Sequence, residues 1–145
     1  MKSLKDICEA SLLDIEGTIE KGDQINDQLD KLKVMACNQD NYITVKGAGY
    51  IELKIENIKD FKDLFELVYP KKIKSLSFYI KKRSIMRNHE WIDIWIFEIK
   101  TNNKRTRTEI PAKGVSSKIL FSKYIPACFE NLETLKQLIN NDVLL

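Results

Sequence analysis

The stretch EWIDIWIFEIK, residues 90–100, decides the fold that the sequence predicts. Its side chains alternate between two sides, which is the pattern of a β-strand. Both alternating sets are largely apolar, namely Ile92, Ile94 and Ile96 against Trp91, Trp95 and Phe97. A strand that is apolar on both faces is typical of the interior of a sheet. We therefore expect residues 90–100 to form a central strand, with other strands beside it.

Further alternating runs predict the neighbouring strands. YITVK (42–46) and YIELKIE (50–56) flank the glycine turn GAG (47–49), which is a β-hairpin pattern. KSLSFYIKK (74–82) alternates as well, whereas VSSKILFSKY (115–124) fits either a strand or a loop. These runs predict a mainly antiparallel sheet of about four to five strands.

Apolar residues at helical spacing predict the helices, which are expected over 3–16, 24–36, 58–69 and 128–145. Gly17 is a natural end for the first helix, and Pro70 ends the third. We therefore expect an α+β fold whose helices pack on one face of the sheet. Residues 1–36 should form an N-terminal helical pair, and residues 37–145 should form the α+β domain.

Composition excludes several classes of protein and site. Acidic residues interrupt the apolar residues of the first turns, so the N-terminus does not read as a signal peptide. No apolar stretch approaches the roughly 18 residues of a membrane span. Cys8, Cys37 and Cys128 are widely spaced and accompany a single histidine, a pattern that favours reduced thiols over a zinc site. We expect no metal, no cofactor and no membrane partner.

Charge is distributed unevenly along the chain. Residues 71–123 carry fourteen Lys and Arg against four Asp and Glu, whereas residues 1–40 carry five Lys against nine acids. The two blocks could attract each other within the fold or across a homo-oligomer. Alternatively, the basic block could face a polyanion.

The basic block is concentrated in KKRSIMR (81–87) and KTNNKRTR (100–107), which we expect to be two loops beside the central strand. The candidate nucleic-acid or partner-binding residues are Lys81, Lys82, Arg83, Arg87, Lys104, Arg105 and Arg107. Such residues contact phosphates in nucleic-acid complexes. A protein-facing surface and plain solvation of the loops are the alternatives.

One constellation resembles a nuclease site. Asp93, Glu98 and Lys100 resemble the acidic residue and E-x-K motif of restriction-endonuclease-like nucleases, in which two carboxylates hold Mg²⁺ and a lysine orients water. Alternation argues against this function, because it places Asp93 on the face opposite Glu98 and Lys100.

The N-terminal stretch MKSLKDICEASLLDIEGTIEKGD, residues 1–23, is similar to the leader segments of small proteins of large tailed bacteriophages. Such leaders direct internal proteins into the prohead and are cleaved after a glutamate, which would be Glu16 here. The chain departs from them at Asp14, where the leaders carry Leu or Ile. The resemblance implies a phage protein located in the host cytoplasm or the virion.

The helix at 3–16 has an apolar stripe that could dock to another chain, formed by Leu4, Ile7, Leu12 and Ile15. Packing of the stripe on the sheet is the alternative. We expect a non-enzymatic phage protein, virion-associated or host-interacting, that acts through protein–protein contacts. A nucleic-acid-binding protein that uses the two basic loops is the first alternative, and a Mg²⁺-dependent nuclease is the second.

Overall fold

The computed structural model describes residues 22–140 and 143–144, which contain a six-stranded sheet whose strand order follows the chain. The strands are β1 (Ile43–Val45), β2 (Tyr50–Ile55), β3 (Leu76–Arg87), β4 (Glu90–Thr101), β5 (Lys104–Pro111) and β6 (Val143–Leu144). β1 to β5 are antiparallel, and β6 pairs with β5 in parallel. The predicted α+β class and the mainly antiparallel sheet are confirmed, and β4 lies inside the sheet as predicted.

The helices of the described part of the chain are α1 (22–36), α2 (Lys62–Val68), α3 (117–127) and α4 (Leu132–Asn140). A 3₁₀ turn, Ile58–Phe61, leads into α2, and the centre of α3 is a π-helical turn, Leu120–Tyr124. The C-terminal helix is shorter than predicted, because it ends at Asn140 and residues 143–144 pair with β5. The expected helix at 3–16 and its stripe lie outside the described residues. None of the described helices combines the length and apolar character needed to cross a membrane.

The helices cover one face of the sheet, as the sequence predicts. The strand residues in this core are Leu53, Ile55, Leu76, Phe78, Ile80, Phe97, Ile99 and Ile110. Each helix contributes buried side chains to the same core, for example Leu32 of α1, Leu64 of α2, Leu120 of α3 and Leu135 of α4. The opposite face, which none of the described helices covers and which is called the open face below, carries most of the charged side chains of the sheet.

A side-chain amide also joins α1 to α2. The Gln28 Oε1 atom of α1 accepts a hydrogen bond from the backbone N–H of Leu64 at 2.9 Å. The Gln28 Nε2 atom donates to the Asp63 carboxylate at 3.2 Å. Because the first N–H groups of a helix have no partner within it, Gln28 satisfies a donor that α2 leaves open.

The two predicted basic loops are strands except for the turn at 102–103, and this correction matters for the site. Residues 81–87 continue β3, because they pair with β4 as far as Arg87 opposite Glu90. Residues 104–107 begin β5, in which the buried inward positions before Ile110 are held by Thr106 and Thr108. Threonine supplies a β-branched but polar inward residue, so the apolar alternation that marks a strand is absent.

The ambiguous segment 115–124 is mainly helical, so neither a strand nor a loop describes it. Gly114 takes a positive φ of 74° just before it, and the Ser116 hydroxyl accepts a hydrogen bond from the Ile119 N–H at 3.3 Å. Serine is a preferred N-terminal cap, and this cap starts α3.

Candidate functional site

The side chains of the open face lie in rows that cross the strands. Register places Lys54, Ser77, Lys100 and Arg105 side by side on β2 to β5, and we call these four residues the cationic row. The next row consists of Glu52, Tyr79, Glu98 and Arg107, and the one after that of Tyr50, Lys81, Ile96 and Glu109. Neighbouring members of a row are about 4.8 Å apart, so their charges act on one another directly.

Glu98 is the most enclosed carboxylate of the open face. Its side chain is 10% exposed and forms an ion pair with the Lys81 ammonium at 2.8 Å. The Arg105 guanidinium lies 3.9 Å from its other oxygen. Two cations from the two neighbouring strands therefore compensate one buried negative charge. These contacts link β3, β4 and β5 across the open face.

Tyr79 lies beside Glu98 and is covered. The Arg105 guanidinium stands over its ring at 5.2 Å from the centroid, and the Tyr50 ring meets it edge-on at 5.3 Å. Burial raises the pKa of Tyr79, and the negative charge of Glu52 raises it further. With its face occupied by Arg105, this ring does not offer the free stacking surface that bound bases use.

The end of the β3–β4 hairpin curls over the open face. Arg87 lies opposite Glu90 and Glu109 lies opposite Ile96, so six residues of β4 separate their positions along the sheet. In a flat sheet that offset is about 20 Å, which is beyond the reach of the two side chains. The Arg87 guanidinium nevertheless contacts the Glu109 carboxylate, which also has Arg107 at 3.4 Å. Ile96, which also belongs to the open face, is 1% exposed.

The hairpin tip, residues 85–92, projects beyond the other strands. Asn88 and His89 form its turn with φ values of 50° and 66°, the pair of positive angles that a two-residue type I′ turn requires. Met86 lies directly opposite Trp91, and these side chains are 52% and 71% exposed. A cross-strand pair of large apolar side chains therefore faces solvent at the end of the β3–β4 hairpin.

The seven predicted basic residues do not form one surface. Lys81, Arg83, Arg87, Arg105 and Arg107 lie on the open face, and Lys82 and Lys104 lie on the helix side. The Lys82 ammonium stands 5.5 Å from the Trp95 ring, and the Lys104 ammonium donates to the Asn140 carbonyl at 3.0 Å, at the end of α4.

Arg83 has a local structural contact of its own. Its guanidinium donates to the Gly49 carbonyl at 3.3 Å and to the Lys82 carbonyl at 3.0 Å. Gly49 belongs to the β1–β2 turn and has a φ of 72°, so Arg83 braces a turn that needs glycine.

The nuclease-like residues are separated by the sheet. Asp93 lies on the helix side and accepts a hydrogen bond from the Ser84 hydroxyl at 2.5 Å, whereas Glu98 and Lys100 lie on the open face. The expected separation of Asp93 from the E-x-K residues is thus observed. Among the described residues, no three His, Cys, Asp or Glu side chains cluster closely enough to hold a metal ion.

The two cysteines of the described region are protected thiols. Burial raises the pKa of Cys37 from 9.0 to about 11, and this outweighs the nearby Lys33 charge, which lowers the pKa. Burial also raises the pKa of Cys128 to about 12. Thiolates are the reactive form, so both groups are poor nucleophiles at neutral pH.

We expect the thiols of a folded Cys8→Ser variant to react with a disulfide reagent at pH 8 at least about 100-fold more slowly than the thiols of the same variant unfolded in urea. The reason is that a pKa raised by about two units lowers the thiolate fraction about 100-fold. Both folded pKa values lie above the unfolded ones, so the stability that these thiols contribute is complete below pH 9 and declines as the pH rises through about 11. Stopped-flow labelling and urea titrations at several pH values measure the two effects. Equal rates in the folded and unfolded protein would contradict the burial of both thiols.

Comparison of the chain with protein-family models, curated proteins and solved structures found no match. Function is therefore inferred from the surface chemistry of the described residues.

Two features of that surface were missed by sequence reasoning. Trp91 has the same apolar alternation as Trp95, and its exposure follows only from β4 extending past β5, which ends opposite Ile94. Lys54 reads as an ordinary polar position of a strand, because its row partners come from strands distant in the sequence. Pairing of β2, β3, β4 and β5 in the correct register is the signal that would have found the row.

Proposed function

We propose that this chain is a non-enzymatic binding protein that acts through protein–protein contacts, with the hairpin tip as its contact surface. The observation that carries the proposal is the exposed cross-strand pair of Met86 and Trp91. Tryptophan and methionine are enriched at the centres of protein interfaces, and tryptophan is frequent among the residues whose truncation costs most binding energy.

The backbone supports this use of the tip. β3 and β4 remain paired up to Arg87 and Glu90, and the turn has only two residues between them. A partner that binds here orders few additional degrees of freedom, which lowers the entropic cost of association. The tip also carries both charge signs within a few residues, as an interface rim does.

The remaining exposed apolar side chains give a useful contrast. Among the described residues, Val34, Ile43, Leu67 and Ile119 are exposed, and each belongs to a different element. Single exposed apolar residues are common on protein surfaces and need no partner. The tip differs because two large side chains lie opposite each other.

The leader resemblance of residues 1–23 supports a phage origin for the binding protein, with a virion-associated or host-interacting role. The virion form of the proposal predicts that mass spectrometry of purified virions detects the chain. Consistent absence from virions that contain their other minor proteins would remove that form and leave the host-interacting one.

We expect Trp91→Ala to weaken binding of the partner by about 2 kcal/mol, or roughly 30-fold, because it removes the centre of the contact. The partner is first trapped with a photo-crosslinking amino acid at position 91 of the full chain and identified by mass spectrometry. Position 34 is the matched control, since Val34 and Trp91 are both 71% exposed. A crosslinked species of twice the chain mass would identify a second copy as the partner.

A second readout keeps the test independent of crosslinking chemistry. A Trp95→Phe variant leaves Trp91 as the remaining tryptophan, and its emission should shift to the blue when the trapped partner is added. Identical crosslinks from positions 91 and 34, together with unchanged Trp91 emission, would overturn the proposal.

A further inference from the structure

We propose that the open face holds a second binding site, in which the cationic row binds the phosphodiester backbone of a nucleic acid. The row is distinct from the hairpin tip, because it crosses the sheet at the other end of β3 and β4. The proposal therefore does not depend on the protein–protein function above.

The spacing of the row suits a linear polyanion. Lys54 pairs with Ser77, Ser77 with Lys100, and Lys100 with Arg105, so four neighbouring strands contribute one residue each. Three strand spacings make the row about 14 Å long. The three cations along that line can each reach a phosphate oxygen, whereas the Ser77 residue between them is buried. Lysine and arginine are common phosphate contacts.

The row also places like charges where the fold alone would disfavour them. Lys100 and Arg105 are directly opposite each other on β4 and β5. Like charges at directly opposite positions destabilise a sheet. A bound anion between the two side chains would remove their repulsion.

The carboxylates nearby are already engaged or lie in the next row. Glu98 approaches Arg105 at 3.9 Å, but its closer partner is Lys81 at 2.8 Å. Among the described residues, neither Lys54 nor Lys100 has a carboxylate within ion-pair distance. The row therefore keeps an excess of positive charge that faces solvent.

The loop before β3 is held against the turn between β4 and β5. Asn102, in the turn between β4 and β5, donates from Nδ2 to the Lys72 carbonyl at 3.0 Å. Its Oδ1 atom accepts from the Lys74 N–H at 2.6 Å. These bonds hold the backbone of two more lysines against the turn that links Lys100 to Arg105. The row itself supplies several neighbouring cations, and such a set favours a polyanion over a single small ion.

The geometry also predicts how the nucleic acid is recognised. Tyr79, the aromatic residue nearest the row, is covered by Arg105 and is not free to stack on bases. Recognition through the backbone alone is independent of sequence and strongly dependent on salt.

The test is fluorescence anisotropy of the full chain with a labelled single-stranded oligonucleotide of mixed sequence and with the matching duplex. For a single strand, three phosphate contacts predict that affinity falls about 20-fold between 50 and 200 mM salt. The Lys54→Gln/Lys100→Gln variant should retain one contact, so its affinity should fall only about 3-fold over the same range. Binding of the single strand, the duplex or both supports the site and identifies the preferred form.

A matched control separates the row from general positive charge. Lys31→Gln/Lys118→Gln removes the same charge from α1 and α3, on the helix side, and should leave the salt dependence unchanged. The row variant should melt no lower than the wild type, because it removes a repulsion, so loss of binding would not reflect unfolding. Binding of the row variant equal to that of the wild type, or selective binding to phosphatidylserine vesicles without oligonucleotide binding, would overturn the proposal.

Discussion

Phe129→Ala should lower the free energy of unfolding by about 3–5 kcal/mol, the largest loss that we expect from a single substitution in this chain. Phe129 is fully buried in the connection between α3 and α4. Its ring meets Phe78 edge-on at 5.8 Å and Phe97 at 6.3 Å, so it fastens the C-terminal helices to the centre of the sheet. Alanine would leave a cavity lined by two rings that are themselves stacked at 5.6 Å and have little freedom to move into it.

Urea denaturation followed by circular dichroism measures the loss. Phe129→Leu is the graded variant, and we expect it to cost about 1–2 kcal/mol because it keeps most of the volume. The graded variant also gives a value if the alanine variant does not fold. A loss below about 1 kcal/mol for Phe129→Ala would mean that the segment does not close the core.

Glu98→Gln should lower the free energy of unfolding by about 2 kcal/mol. Breaking a buried ion pair typically costs about 3–5 kcal/mol, because the remaining charge is uncompensated, and the residual exposure of Lys81 reduces that figure. The Lys81 side chain is 19% exposed and loses its nearest anion. The Arg105 guanidinium loses the same carboxylate as a more distant partner. Glutamine preserves the shape, so the loss reports the charge.

Glu66→Gln is the matched control for this change. Glu66 pairs with Lys62 at 3.9 Å on the surface of α2, with side chains 58% and 72% exposed, and such pairs contribute about 0–1 kcal/mol. Urea titrations of both variants at low and high salt compare the two sites. Equal losses for the two variants would show that Glu98 does not carry a buried charge.

The sequence predicts those strands whose inward residues are apolar. β2, β3 and β4 alternate clearly, and the two apolar sets of β4 place it inside the sheet. The sequence does not predict β5, because Thr106 and Thr108 occupy inward positions and the basic Arg105 and Arg107 alternate with them. The segment therefore resembles a polar loop. Tertiary pairing with β4, which no local pattern contains, makes it a strand.

The sequence also finds the basic block but not its faces. Lys82 was grouped with Lys81 and Arg83 because all three lie in one short run. Once the run is known to be a strand, the alternation of its side chains places Lys82 on the helix side. The same rule separated Asp93 from Glu98 correctly, because that segment was recognised as a strand from the start. The cationic row needed the register of four strands, which depends on long-range pairing.

The amide of Gln28 has a consequence for the order in which the helices form. α2 has seven residues, and a helix of that length is not stable in isolation. Its first turn is completed by an acceptor that lies 36 residues earlier in the chain. α2 therefore reaches its final hydrogen bonding only when α1 has docked, and the two helices should form and open as one cooperative unit.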